Sequence, residues 1–201
     1  MILEEIISQC NAAAVSGPSG IDISAICCDS RKVTPGAAFI AVRGFAGDGH
    51  EFIASAIEKG ASAVLYEDEE ALRGQLEGLD GAVREKVALV RVPDSRYAVA
   101  MAADAFYGHP SRSLTLVGIT GTNGKTTTVT LLYHLFTNLG YRCGLLSTIA
   151  NYVGDRMLET ANTTADPITI NSLMREMVDE GCEYCFMEVS SIGIEQERTA
   201  A

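Results

Sequence analysis

The sequence predicts an α/β protein of two units: a small N-terminal α/β domain over residues 1–111, then an incomplete parallel-sheet domain of P-loop type over residues 112–201. Three observations predict it. Strand-like and helix-like patterns alternate from residue 21 to residue 110. A glycine-rich turn, Gly118-Ile-Thr-Gly-Thr-Asn-Gly-Lys-Thr-Thr-Thr128, joins a β-branched run to a helical one. A late run, Cys182 to Val189, is apolar and interrupted by Glu188, as expected of a strand buried on both faces of a parallel sheet.

The N-terminal Met1-Ile-Leu-Glu-Glu-Ile-Ile7 reads as an amphipathic helix. Strands follow at Ile26 to Asp29 and Ala37 to Val42, then a helix carrying Phe52, Ile53, Ala56 and Ile57 that ends at Gly60, and a strand at Ala63 to Tyr66. The acidic segment Glu67 to Glu70 reads as a solvated loop before a weaker helix at Leu72 to Leu79 and a strand at Val87 to Val92. Pro93-Asp94-Ser95 opens a helix with Ala98, Ala102, Ala105 and Phe106, which Gly108-His-Pro110 terminates, placing a boundary near Ser111.

The second unit begins with the strand Leu114 to Thr120, and Val129, Leu132, Leu135, Phe136 and Leu139 then recur at helical spacing up to Gly140. A strand at Arg142 to Thr148 precedes a hairpin, Asn151 to Val153 and Arg156 to Leu158 around Gly154-Asp155. Asp166-Pro167 opens a helix, since aspartate caps free N–H groups and proline suits the first helical position. Ile170, Leu173, Met174, Met177 and Val178 mark its buried face, and Gly181 ends it. Three or so parallel strands would leave one face and one edge of the sheet open, so the chain reads as part of a longer enzyme.

Hydrophobic residues make up 47% and charged residues 20%, ordinary for a soluble globular chain. The formal charge of −11 argues against general nucleic-acid binding, which needs a basic face. No apolar run has the length to cross a bilayer, and the N-terminus lacks the basic start and cleavage site of a secretory signal, so a cytosolic protein without membrane partners is expected. The six cysteines read as buried thiols. Cys182 and Cys185 have the spacing of half a zinc site, but a strand points residues three apart to opposite faces. His50, His109 and His134 are too few for a histidine-rich centre.

The turn between strand and helix carries the chemistry. Gly121 and Gly124 permit backbone angles that a side chain forbids, so amides from Thr122, Asn123 and neighbours through Thr127 can cradle phosphate oxygens at the positive end of the helix. Lys125 adds a cation for the outer phosphates, and the Thr126 hydroxyl is placed to ligate Mg²⁺ on the same nucleotide. The G-x-x-x-x-G-K-[ST] template asks for glycine at 119, where this chain has Ile119. Glu188, near the C-terminal end of a buried strand, is costly unless paired, and parallel sheets put ligands at those ends. It is expected to meet magnesium; the bland reading is a structural carboxylate bonded to the Ser190-Ser191 turn.

These motifs resemble the Mur ligase family, and within it the branch that adds a third amino acid to UDP-N-acetylmuramoyl-L-alanyl-D-glutamate. The residues that carry the resemblance are Asp29-Ser-Arg31 with Pro35-Gly36, Phe39 to Val42, Gly44 to Gly49, Thr120-Gly-Thr-Asn-Gly-Lys-Thr-Thr127, Asn162-Thr-Thr164 and Met187-Glu-Val-Ser-Ser191. The loop wording of the family accounts for Ile119. The resemblance implies an ATP- and Mg²⁺-dependent ligase whose first domain holds the uridine diphosphate end of the substrate through Cys28, Ser30 and the turn Phe45-Ala46-Gly47. Thr163, Thr164, Ser190, Gln196 and Arg198 would contact the muramoyl-peptide end, and Lys125 and Glu188 would serve the phosphoryl transfer. Ile192 departs from the histidine the family commonly has there. The resemblance further implies residues beyond Ala201, among them those that choose between diaminopimelate and lysine, so ligation by this chain alone is not expected. A folylpolyglutamate synthetase and a non-catalytic nucleotide or UDP-substrate binding module stay open as alternatives.

Overall fold

The computed structural model describes residues 1–44, 47–160 and 162–201. They form two compact units, Met1–Phe106 and Tyr107–Ala201, dividing a few residues before the Ser111 boundary read from the sequence.

The first unit holds five strands, β1 (Ala14–Ser16), β2 (Ile26–Cys27), β3 (Ala38–Ile40), β4 (Ala63–Tyr66) and β5 (Ala88–Arg91), in the order β1-β5-β4-β3-β2. Strands β2 to β5 are parallel, and β1, which the sequence pattern did not reveal, pairs antiparallel with β5. It was hidden because Ala14, Val15 and Ser16 are all exposed and show no alternation. Helices α1 (Leu3–Ile7), α2 (Ile53–Glu58), α3 (Glu69–Leu76), α4 (Gly81–Arg84) and α5 (Ser95–Phe106) complete it. Phe39, Ala41, Val64 and Tyr66 point to one face and pack with Ile53, Ala56, Ile57, Leu72 and Leu76 of α2 and α3. The alternate residues Ile40 and Leu65, wholly buried, point the other way, where α5 lies against β2, β3 and β4. The acidic segment read as a loop lies partly in α3: Asp68 caps that helix, its Oδ1 accepting from the Glu70 and Ala71 amides, each at 3.0 Å.

The second unit holds β6 (Thr115–Ile119), β7 (Cys143–Leu146), β8 (Asn151–Val153), β9 (Arg156–Leu158) and β10 (Tyr184–Glu188), in the order β6-β10-β7-β8-β9. Strands β6, β10 and β7 are parallel, and the expected hairpin β8–β9 extends the sheet antiparallel. Helix α6 (Lys125–Asn138) covers one face and α7 (Pro167–Asp179) the other, with a short α8 (Ser191–Glu195) after β10. Both faces thus carry a helix, where the sequence suggested one open face; β6 and β9 are the outer strands of the sheet.

Period-two alternation sorts the strand residues between the helices. Leu145, Phe186 and Val117 pack with Val129 and Tyr133 of α6, while Leu146, Cys185, Met187 and Leu116 pack with Ile170, Leu173, Met174 and Met177 of α7. Not all of the apolar residues at helical spacing on α6 face the sheet. Val129, Leu132, Tyr133 and Phe136 face the sheet, but Leu135 and Leu139 are 52% and 64% exposed and share the outer side with Leu131. At 100° per residue Leu135 falls about 120° from Val129, off the stripe that 129, 133 and 136 occupy, and Leu139 is the capping residue just past the end of the helix. Phe136 also meets Tyr184 and Phe186 at ring distances of 4.7 and 5.3 Å, fixing α6 on β10.

Cys182 precedes β10 instead of lying within it, so it and Cys185 enter the same core cluster beside α7, not opposite faces. Burial pushes the Cys185 thiol well above the ordinary cysteine range. Five of the six cysteines are buried, Cys28 is half-buried, and all are free thiols. Among the described residues no helix is long and apolar enough to cross a membrane.

Helix α7 approaches β7 so closely that a Cβ on Gly144 would overlap the Met177 side chain. Gly144→Val is therefore expected to destabilise the second unit by about 1–3 kcal/mol, the usual cost of overpacking. A urea midpoint equal to that of the unaltered chain would contradict this packing.

Candidate functional site

The strand β6 ends at Ile119 and α6 begins at Lys125, leaving residues 120–124 as an exposed loop between them. Gly121 and Gly124 have φ of +140° and +81°, conformations that side-chain-bearing residues rarely adopt. No side chain caps α6. The first amides of α6 thus have no side-chain acceptor, and such a helix start attracts anions. Lys125 is half-buried, and its Nζ donates to the Gly121 carbonyl oxygen at 2.7 Å. The ammonium thus folds back over its own loop.

Glu188 reaches this loop through sheet geometry. It pairs in register with Ile119, the last residue of β6, and lies two residues after Phe186, so its side chain points to the α6 face. Its carboxylate is 0% exposed. Oε2 accepts from the Thr126 hydroxyl at 2.9 Å and the Thr148 hydroxyl at 3.2 Å, and Oε1 accepts from the Thr148 N–H at 2.8 Å. Among the described residues no basic side chain pairs with it. The bland expectation of a carboxylate bonded to the Ser190-Ser191 turn does not describe these contacts.

A buried carboxylate with hydroxyl and amide partners and no cation beside it suits a divalent ion. The described residues contain no cluster of three or more His, Cys, Asp or Glu that could cage a metal alone. Thr126 and Glu188 could hold magnesium only together with oxygens from a nucleotide and water, which is the usual habit of that ion.

Thr148 was not singled out in the sequence. The available signal was its position two residues after β7, at the C-terminal edge where parallel sheets gather ligands. Its turn is fixed by Ser147, whose N–H donates to Asn151 Oδ1 at 3.1 Å and whose hydroxyl donates to the Ala150 carbonyl at 2.7 Å.

The residues expected to meet a peptide-bearing substrate form a connected group. Thr164 is 2% exposed, and its hydroxyl lies 3.1 Å from the Glu188 carbonyl, 3.2 Å from Ser190 Oγ, and accepts the Ser190 N–H at 3.0 Å. Ser190 Oγ caps α8 by accepting from the Gly193 N–H. Arg198 donates through Nη1 to the Thr164 carbonyl at 2.5 Å and through Nε and Nη2 to Gln196 Oε1 at 2.9 and 2.6 Å. Two of the five guanidinium protons are left for another acceptor. Thr163 is half-buried.

The other expected residues lie in the first unit. Ser30 is buried and begins a short 3₁₀ turn, Ser30–Lys32, capped by Asp29; its carbonyl accepts from Lys59 Nζ at 2.9 Å. Cys28 is half-buried. Gly44 donates its N–H to the Gly47 carbonyl at 3.0 Å, while Phe45 and Ala46 lie outside the described residues. Beside Gly47, Asp48 Oδ1 sits 2.6 Å from Nδ1 of the buried His50, whose Nε2 accepts from the Glu67 and Asp68 amides at 3.1 and 3.2 Å. Those two donors fix the Nδ1–H tautomer, so this histidine is a structural pin. Arg31 hydrogen-bonds Asp29 through Nε and Nη2 and holds its carboxyl down to about 2.

The Asp29 carboxyl, lowered from 3.8 to about 2, adds stability that is complete above the higher value and lost as pH falls through the lower one. Arg31→Ala is expected to return its midpoint toward 3.8 in a carbon-detected NMR titration. An unmoved midpoint would show that the arginine is not the cause.

Family models match the chain twice. One described as Mur ligase family, catalytic domain, covers residues 22–107, and one described as Mur ligase middle domain covers residues 119–201. The UDP-N-acetylmuramoyl-L-alanyl-D-glutamate--2,6-diaminopimelate ligase of Cytophaga hutchinsonii is 47% identical over 200 residues, covering 100% of this chain and 39% of the relative. The protein of the same name from Bacteroides fragilis is 46% identical over 198 residues, covering 98% of this chain and 39% of the relative. A solved structure of a ligase of that name superposes with a TM-score of 0.73 at 24% identity over 98% of this chain and 37% of its own, a likeness of fold. The Thermotoga maritima MurF ligase, solved in complex with ADP, gives a TM-score of 0.53 at 25% identity over 83% of this chain and 32% of its own. The chain spans about two fifths of the length of the curated relatives it matches. On the two family models, which between them take in most of both units, the chain belongs to the Mur ligase family.

Proposed function

We propose that the whole protein is an ATP-dependent amide ligase of peptidoglycan precursor synthesis, joining a third amino acid to UDP-N-acetylmuramoyl-L-alanyl-D-glutamate. The carrying observation is the meeting of the Thr126 hydroxyl with the buried Glu188 carboxylate beside a glycine loop whose helix no side chain caps. Diaminopimelate is the preferred amino acid, because the relatives that share nearly half of this chain's residues are named for it. A reducing, cytoplasmic setting agrees with six free thiols.

In this reading the side-chain carboxylate of D-glutamate attacks the γ-phosphorus of ATP, and ADP departs to leave an acyl phosphate. The amine of the incoming amino acid then attacks the acyl carbon, phosphate leaves, and the amine gives up a proton. The loop amides bind the nucleotide phosphates, and Lys125 moves from the Gly121 carbonyl to a phosphate oxygen, exchanging a neutral acceptor for a charged one. Magnesium would supply charge neutralisation for the moving phosphoryl group, with Thr126 and Glu188 as its protein ligands. A carboxylate nucleophile is already ionised at neutral pH, so the first step needs no base.

Cys28, Ser30 and the turn through Phe45, Ala46 and Gly47 are assigned to the uridine diphosphate end. Thr163, Gln196 and the two unspent protons of Arg198 are assigned to the muramoyl-peptide end. Thr164 and Ser190 already use their hydroxyls internally, which supports a supporting part for their side chains more than direct contact.

Calorimetric titration with UDP-N-acetylmuramoyl-L-alanyl-D-glutamate and with Mg·ATP tests the reading; a chain that takes neither ligand would sink it. Lys125→Ala is expected to weaken ATP binding by about ten- to a hundredfold, the worth of one charge-assisted hydrogen bond, with an unchanged circular dichroism spectrum. Affinity retained in that variant would remove Lys125 from the phosphate site. Glu188→Gln is expected to raise the magnesium concentration at half-saturation by about tenfold or more.

A further inference from the structure

The buried Glu188 carboxylate has two oxygens and about four acceptor positions, of which hydrogen bonds from the protein occupy three. Thr126 supplies one of these bonds and Thr148 the other two. The two Thr148 bonds fall on different oxygens, the N–H on Oε1 and the hydroxyl on Oε2, and a hold at both oxygens fixes the plane of the group as well as its place. The Thr148 amide alone would hold one oxygen and leave the carboxylate free to turn about its last torsion, which is broad and weakly restrained; on Oε2 the Thr148 hydroxyl is the donor that is not also assigned to the cation.

The support behind Thr148 is rigid. Asn151, on β8 and only 5% exposed, accepts the Ser147 N–H, and the 2%-exposed Ser147 closes the turn onto Ala150. Thr148 itself is exposed at the mouth of the site, so its side chain contributes little packing to the core. Thr148 spends both its amide and its hydroxyl on one buried carboxylate, so the work of its side chain passes through Glu188.

We propose that Thr148 is a positioning residue for metal binding: it orients the Glu188 carboxylate so that the group meets a divalent cation held with the nucleotide at Thr126. The proposal rests on the reading of Glu188 as a metal ligand. A hydroxyl can donate its proton to a carboxylate while its oxygen lone pairs stay available, so Thr126 can ligate the cation without releasing Glu188. Thr148 is not a ligand itself. It sets the angle at which the carboxylate is presented, and such outer partners commonly change metal affinity by about 10- to 100-fold.

The test reads Mn²⁺-dependent binding of a fluorescent ADP analogue to the full chain, with Mn²⁺ titrated at fixed nucleotide, alongside metal-free thermal unfolding. Thr148→Val removes the hydroxyl and keeps the shape, and it is expected to raise the Mn²⁺ concentration at half-saturation about tenfold while metal-free nucleotide affinity stays unchanged. Thr148→Ser keeps both donors and is expected to match the unaltered chain. Should the valine variant fail to fold, Thr148→Ala removes the same hydroxyl without the branched side chain.

A shifted Mn²⁺ midpoint in Thr148→Val or Thr148→Ala, restored in Thr148→Ser, supports the proposal. An unmoved midpoint with a lowered melting temperature would mean that Thr148 is merely structural and would overturn it. Glu188→Gln separates the two levels: a shift there without one in the Thr148 variants refutes the positioning role alone. No shift in Glu188→Gln, or no Mn²⁺ dependence in the unaltered chain, removes the reading of Glu188 beneath it.

Discussion

The contact between Thr126 and Glu188 ties together the two structural facts that matter most in this chain. One partner stands on the first turn of α6 and the other at the end of β10, 62 residues apart in sequence. A carboxylate with no exposure to water is expensive to bury, and it is tolerated because three protein donors surround it. Those donors come from the turn after β7 and from the first turn of the helix that follows β6. The sheet must therefore be parallel through β6, β10 and β7, since only then do all three strands deliver their C-terminal ends to one edge.

Packing away from the site keeps this edge in register. Phe136 against Tyr184 and Phe186 holds α6 on β10, while the bare Gly144 lets Met177 of α7 press onto β7 from the other face. The Tyr133 hydroxyl, donating to the Gly154 carbonyl at 2.9 Å, joins α6 to the hairpin beyond β7. Helix, sheet and hairpin are thus fixed before the loop of residues 120–124 is asked to hold anything. That loop itself is exposed and carries little of the fold.

Behind the same edge, Thr164, Ser190, Gln196 and Arg198 form a second layer of polar contacts. Thr164 reaches the backbone on both sides of Val189, and Arg198 reaches back to the Thr164 carbonyl. Hydrogen bonds through Thr164 thus join the polar group around Arg198 to the strand end that bears Glu188.

Sequence by itself determined the alternation of elements, the glycine loop with Lys125 and Thr126, the Asp166-Pro167 helix start, the β8–β9 hairpin, and Glu188 as a carboxylate out of place in a buried strand. Each of these rests on local chemistry: backbone freedom, capping, turn residues and period-two burial, all of which act between near neighbours. Tertiary structure alone decided which side of α6 meets the sheet, which core Cys182 and Cys185 enter, and that Thr148 grips Glu188 from 40 residues away. Contacts of that kind are set by which strands become neighbours. No residue pattern along one segment encodes its neighbour in the sheet, because the free energy that selects it is the burial of the whole unit.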